Sequence, residues 1–389
     1  MQTVQISSSE IDTNLQIEIK SFQESLCSYG FYNESDVAIL DFAKDIDVHF
    51  ANKECLILLE KARKLMEKGL ENAVYVNPDQ HYDGQAALDP PPMTNPIYKI
   101  SSNVLELQDL IFGILQECSK SSTMLRQRLL NTSCNILRLY QSIVVIHCKE
   151  GLQSIPRHSA LFHNNCMYLA HWLLTLSKKL QSFKITPEES QLMLYLDQIT
   201  SLRLLGAKYL NLQMQSQKNI ILNTLRDSDL NSLNQSTKLS KTDLAITACL
   251  NQINNLEVEW YKVLPDNVFI KCIALLYNVL LGELIQKVCS AEDISSNVAQ
   301  DLVNYFEKVQ LNALESFKKH EALMPKIQLW QKFKELNNVL KGNLDSIDSL
   351  WANGKGLLAT VFERQEIKHL IRALFKNTDR RADLLMKIK

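Results

Sequence analysis

The strongest constraint on this chain is how far it runs without a helix breaker. Residues 101 to 155 contain no proline, and five of the nine prolines in the 389 residues crowd between Asn77 and Pro96. Proline removes a backbone donor and clashes with the preceding turn, and glycine costs about 1 kcal/mol against alanine inside a helix. The ten glycines and nine prolines make up about 5% of the chain, against roughly 12% on average. Sheets rich in turns and glycine-lined nucleotide loops need that punctuation. The expected class is all-α.

Periodicity divides the chain. From Glu34 to Lys68, Val37, Leu40, Ala43, Cys55, Leu58, Leu59 and Ala62 keep helical spacing, which predicts a long amphipathic helix with a break near His49 to Asn52. Residues 1–76 are read as acidic N-terminal helices, and residues 77–100 as a Pro-rich acidic surface loop carrying Asp79, Tyr82, Asp83 and Asp89. Leu130, Cys134, Leu137, Val144 and Cys148 form the buried stripe of a second long helix. Pro156 opens the next. Thr186-Pro187-Glu188-Glu189 is a helix start, with Thr as cap, and that helix can run to Arg226, about 60 Å. Residues 101–226 therefore form a long-helix rod section.

Residues 227–241 are rich in Ser, Asn and Asp and read as a linker, and 242–389 as a C-terminal helical bundle. There Thr242 is expected to cap a helix whose Ile246, Cys249, Ile253, Leu256 and Trp260 alternate at three and four residues. Helices are expected at 266–289, 296–323, 326–341 and 357–376, with a last short one begun by Asn377 or Thr378. The whole predicts an elongated rod of stacked helical bundles.

Net charge is −1 overall, which gives no support for nucleic-acid binding. Its distribution is uneven: residues 1–90 hold 16 acids and 7 bases, whereas residues 364–389 hold 8 bases and 3 acids. Nine scattered cysteines look like reduced core residues of an intracellular protein. The opening MQTVQISSSEIDTN lacks the basic and apolar regions of a secretory signal. FIKCIALLYNVLLGELI, interrupted by Lys271, Asn278 and Glu283, reads as too short and too polar to cross a bilayer. The sequons at Asn33, Asn131 and Asn234 are accordingly read as chance matches.

Two groups of residues stand out. LFHNNCMYLAHWLL, from Leu161, places Asn164, Tyr168 and His171 at i, i+4 and i+7, a polar stripe able to hydrogen-bond across a helix interface. The alternative is a metal site from His147, Cys148, His163 and Cys166 serving a metal-dependent helical enzyme. His171 lies about 12 Å along the axis from His163, too far to share an ion with it. The second group is Arg364, Lys368, Arg372, Lys376 and Arg380, recurring every four residues and followed by Arg381. It is either a solvated face or a basic strip that docks an acidic partner surface, opposite an apolar face of Leu358, Phe362, Ile367, Leu370, Ile371 and Leu374. Asn353-Gly354-Lys355-Gly356 lacks the glycine spacing and hydroxyl of a phosphate loop, and no GxSxG or HExxH occurs. Neither an enzyme nor a cofactor is expected, although a generic helical adaptor fits the composition.

IDVHFANKECLILLEKARKLM, PRHSALFHNNCMYLAHWLLTL, VEWYKVLPDNVFIKCIALLYNVLLGELI with AEDIS, and WANGKGLLATVF with IKHLIRALFKNTDRRADLLMKIK together resemble the Zeste-white-ten family, from about Phe31 to Lys389. The resemblance covers the family's C-terminal half, which implies a partial chain. It implies a helical fold of the multisubunit-tether type and a scaffold working with Rod and Zwilch at kinetochores, in the spindle checkpoint and in dynein recruitment. It also implies membership, in interphase, of a Dsl-type tether at the endoplasmic reticulum for Golgi-to-ER transport, with neuroblastoma-amplified protein as the Rod-like partner. Under it, HNNCMYLAH is a structural segment, and the C-terminal bundle contacts Rod or its relative directly and Zwilch indirectly. Contacts to dynein-dynactin, dynamitin and Zwint belong to the absent half. A yeast relative recruits vesicle coat through an acidic loop bearing tryptophan; residues 77–96 are acidic and have none.

Overall fold

The computed structural model describes residues 8–33, 39, 46–70, 72–76, 98–121, 123–182, 192–233 and 239–388. The protein is all-α, with one two-stranded antiparallel ribbon. The helix start expected at Thr186 and the segment 77–97 lie outside the described residues. Two compact units are formed, neither of them a continuous stretch of chain.

The first unit comprises residues 1–69, 102–147 and 169–202. Helices α1 (Ser8–Ser28), α2 (Ile46–Met66), α3 (Ser102–Cys118) and α4 (Thr123–His147) lie in it. Helices α2 and α3 pack on each other and on α4, burying Ala62, Met66, Leu107, Ile111, Leu115, Leu130 and Leu137. Helix α2 continues through His49–Asn52, where a break was expected, because His-Phe-Ala-Asn contains no residue that disrupts the backbone ladder. The proline-free run divides instead after Cys118. There Arg126 reaches back to donate to the carbonyls of Cys118 at 2.9 Å and Ser121 at 3.2 Å, satisfying acceptors that a helix end leaves open. Asn103 does the same for α2, donating to the Leu65 and Gly69 carbonyls at 3.1 and 3.0 Å.

The second unit comprises residues 70–101, 148–168 and 203–389. Strands β1 (Ala73–Val76) and β2 (Tyr98–Ser101) pair from Ala73↔Ser101 to Val76↔Tyr98. The helices are α5 (Lys149–Ser154), α6 (Pro156–Ser182), α7 (Leu192–Arg226), α8 (Ser240–Tyr261), α9 (Asp266–Cys289), α10 (Ser296–Lys319), α11 (Trp330–Lys341), α12 (Leu344–Trp351), α13 (Leu357–Val361), α14 (Arg364–Leu374) and α15 (Asp379–Lys387). Residues of α6 and α7 divide between the two units.

Helix α9 is the centre of the second unit. At 24 residues it is, by length and composition alone, long and apolar enough to cross a bilayer, so the expectation that it is too short and too polar is corrected. Its apolar face is instead taken by α8, α11 and α14, with Ile273, Leu276, Tyr277, Leu280, Leu281 and Leu284 fully buried. Lys271, which looked like an interruption, is on the exposed side.

Several boundaries differ from expectation for local reasons. Helix α8 begins at Ser240, and Thr242 is buried within its first turn rather than capping it. The segment read as a linker carries a 3-10 turn at Asp229–Ser232 and buries Leu230, Leu233 and Leu239 in the core. The helix expected at 326–341 starts at Trp330, after a 3-10 turn at Met324–Lys326 containing Pro325, and α10 ends at Lys319. The helix expected to run from Leu357 to Lys376 is two, because Phe362 turns into the core and Glu363 starts α14 with a capping box through Glu366. The NGKG turn is structural: a Cβ on Gly356 would lie 2.0 Å from the Leu350 carbonyl oxygen.

One buried carboxylate organises the meeting of α8, α9 and α10. Glu257 accepts from Ser316 at 2.7 Å and approaches His320 Nε2 at 3.3 Å, while the imidazole sits 4.8 Å from both the Tyr261 and Phe269 rings. Ser316 engages the carboxylate rather than the imidazole and is 2% exposed. The trio therefore has the residue types of a hydrolase without its proton relay or access.

Candidate functional site

Two adjacent asparagines on α6 define the most specific polar geometry in the second unit. Asn164 is fully buried; its Nδ2 donates to the Lys99 carbonyl in β2 at 3.0 Å and to the Val263 carbonyl, just after α8, at 2.6 Å. Asn165 Oδ1 accepts from the Ser101 amide at 2.9 Å, and its Nδ2 donates to Ser101 Oγ at 3.0 Å. Lys99 and Ser101 are two apart on β2 and so share one edge of the strand. The asparagines thus satisfy an edge that would otherwise leave backbone groups unpaired. Their partners are a strand and a turn, where a facing helix was expected.

Tyr168 is buried, and His171 is half-buried and makes no hydrogen bond among the described residues. His171 therefore does not share in the pairing that Asn164 makes. Asn165 was not singled out from the sequence; only its place beside Asn164 hinted at it.

The four residues of the metal alternative do not converge: among the described residues no group of three His, Cys, Asp or Glu side chains could hold an ion. His147 is exposed and Cys148 half-buried, whereas His163 and Cys166 are buried. Burial pushes the Cys166 thiol well above its usual range and those of Cys118, Cys249, Cys272 and Cys289 up to about 12. Such thiols stay protonated and are poor ligands or nucleophiles. All nine cysteines are free.

His163 is driven below its ordinary value by burial, partly opposed by a hydrogen bond to the Gly206 backbone. The unfolded chain therefore takes up a proton near pH 6.5 that the folded chain refuses, so this residue contributes stability above that pH that is lost as pH falls below it. His163→Gln should flatten that part of the pH-stability curve, measured by urea unfolding. The close packing of α6 on α7 is set by Gly206. A Cβ there would meet Cys166 Cβ at 2.8 Å and the His163 carbonyl oxygen at 3.2 Å. Gly206→Ala should lower stability by about 1–3 kcal/mol despite the better helix propensity of alanine, as a drop in thermal midpoint would report.

The basic residues end the second unit. Arg364 is the first residue of α14; Arg364, Arg372, Lys376 and Arg380 are exposed, and Lys368 is half-buried. Lys376 lies beyond the end of α14, past Phe375, and Arg380 lies in the first turn of α15, so the face holds three residues on one helix and not four. Among the described residues none of these five cations has a carboxylate at salt-bridge distance. Nearby Lys332 and Lys387 do, on Glu366 at 2.8 Å and Asp348 at 2.6 Å. Arg381 differs, since its guanidinium donates to the Phe375 carbonyl and Asn377 Oδ1, both at 2.7 Å, and locks α15 onto the end of α14. Ile367, Leu370 and Ile371 are fully buried beneath the strip, so α14 is held rigidly with its charges outward.

Three family models match the chain in order. They are Centromere/kinetochore protein zw10, middle domain, at residues 7–66; Centromere/kinetochore protein zw10, C-terminal, at 94–223; and ZW10 C-terminal helical domain at 244–388. The centromere/kinetochore protein zw10 homolog of Rattus norvegicus is 31% identical across 95% of this chain, which covers 53% of that protein. The Drosophila melanogaster protein is 28% identical across 91%, covering 47%, and the Arabidopsis thaliana homolog 21% across 94%, covering 50%. The chain thus spans about half the length of the curated relatives it matches. The solved structure of Myo2-GTD in complex with Mmr1 superposes with a TM-score of 0.52 at 15% identity, covering 88% of this chain and 83% of that one, a likeness of fold alone. With three of its domains following one another from residue 7 to residue 388, the chain belongs to the zw10 family of centromere/kinetochore proteins.

Proposed function

We propose that this chain is a non-enzymatic scaffold segment serving two assemblies: the Rod-Zwilch complex at kinetochores, for the spindle checkpoint and dynein recruitment, and a Dsl-type tether at the endoplasmic reticulum, for Golgi-to-ER retrograde transport. The observation that carries the reading is the ordered succession of zw10 segments over the described helices. The cations Arg364, Lys368, Arg372, Lys376 and Arg380, which have no carboxylate at salt-bridge distance among the described residues, serve as the docking strip for an acidic surface on Rod or on neuroblastoma-amplified protein. Buried, protonated thiols and the relay-free Glu257 cluster favour a scaffold over catalysis. The protein is then cytoplasmic, peripheral to the ER membrane through its partners in interphase, and at kinetochores and spindle in mitosis.

Affinity purification of the chain from synchronised cells tests this. Rod should be recovered from mitotic cells and its tethering relative from interphase cells; recovery of neither would reject the assignment.

A further inference from the structure

The first unit carries an open groove of about 470 Å³ between α2 and α3, with Leu129 of α4 contributing to its lining. Leu58 and Leu65 line one side, Leu110 and Ile114 the other. Glu54, Asp109 and Glu117 rim it and have no cation at salt-bridge distance among the described residues. Glu106, also on the rim, is already paired with Lys68 at 2.5 Å, and Lys61 is the one base among the described lining residues.

The spacing gives the groove a direction. Leu58 and Leu65 are seven apart, and Glu106, Asp109, Gly113 and Glu117 follow one face of α3 for eleven residues, about 16 Å or three helical turns. Gly113 is the informative residue. It lies inside a helix, where glycine costs about 1 kcal/mol against alanine, and a Cβ at that position would meet nothing within 4 Å. None of the described residues uses the room that Gly113 leaves; an occupant that approaches the α3 backbone closely would.

We propose that this groove docks a basic amphipathic helix of a partner protein, with apolar anchors one and two turns apart between the leucines and Lys or Arg side chains against Glu54, Asp109 and Glu117. Helix-in-groove recognition uses i, i+4, i+7 anchors of this kind, and unpaired carboxylates at the rim select a cationic partner. A second copy of this chain does not supply that helix from its own basic strip, because the apolar side of α14 is buried in its own core.

The test uses the full 389-residue chain and two fluorescent helical peptides of equal length. Both carry Leu at i, i+4, i+7 and i+11; one has Lys and the other Glu at the flanking positions. Anisotropy should show the Lys peptide binding at least about 10-fold more tightly. Gly113→Leu, which places a side chain in the groove from a position whose Cβ would meet nothing within 4 Å, should weaken that binding at least about 10-fold, as should Asp109→Lys with Glu117→Lys. Equal binding of the two peptides, no binding of the Lys peptide, or binding indifferent to Gly113→Leu would overturn the proposal. So would self-association of the chain that Asp109→Lys with Glu117→Lys abolishes, which would make a second copy the occupant.

Discussion

Asn164→Leu is expected to lower the unfolding free energy by about 2–4 kcal/mol. The substitution keeps the side-chain bulk and strands two acceptors, the part-buried carbonyl of Lys99 and the buried one of Val263, at a cost of about 1–3 kcal/mol for a buried one. Part of this is offset because Asn164 Oδ1, itself buried without a partner among the described residues, is removed with it. Urea unfolding with a fixed slope measures the loss. Asn165→Ala should also destabilise, by freeing the Ser101 amide, whereas His171→Ala should fall within about 0.5 kcal/mol. A pattern in which His171 matters and Asn164 does not would mean that α6 uses its polar residues as a contact surface instead.

The same asparagines show where sequence reasoning works and where it stops. Helical periodicity located α8 through Ile246, Cys249, Ile253, Leu256 and Trp260, all buried as the seam pattern requires, because a 3.6-residue repeat is a local property. The ribbon β1–β2 escaped notice. Each strand has only four residues, too short for a period-two signal. What holds β2 in place is Asn164, more than sixty positions away. Helix ends were misjudged wherever a distant or unobvious side chain set them: Arg126 at the end of α3, the Glu363–Glu366 box at the start of α14. The basic strip was visible as a four-residue repeat, but the repeat could not reveal that Arg381 is consumed internally or that Lys376 lies past the helix end. Gly113 was indistinguishable from any tolerated helix glycine until the space beside it was known.

The second large effect concerns the strip. Lys368→Glu with Arg372→Glu changes the local charge by four units at positions whose side chains have no partner among the described residues, so folding should change by less than about 1 kcal/mol, mostly through the helix dipole acting on residue 372. Leu370→Ala is the opposite kind of change. It removes a fully buried side chain and should cost about 2–5 kcal/mol, touching binding only by weakening the fold. If α14 presents its cations to an acidic surface on the Rod-type subunit, the double reversal replaces attraction with repulsion and capture should fall by at least about tenfold. The parent complex should also weaken as salt rises from 0.05 to about 0.3 M, as contacts between partly exposed charges do.

The decisive measurement is therefore capture of purified Rod-type subunit by the parent chain and by the Lys368→Glu, Arg372→Glu variant, with circular dichroism to establish that both are equally folded. Near-complete loss of capture by a folded variant is the result expected from the docking strip. Undiminished capture would contradict it, and would leave those cations as an ordinary solvated face.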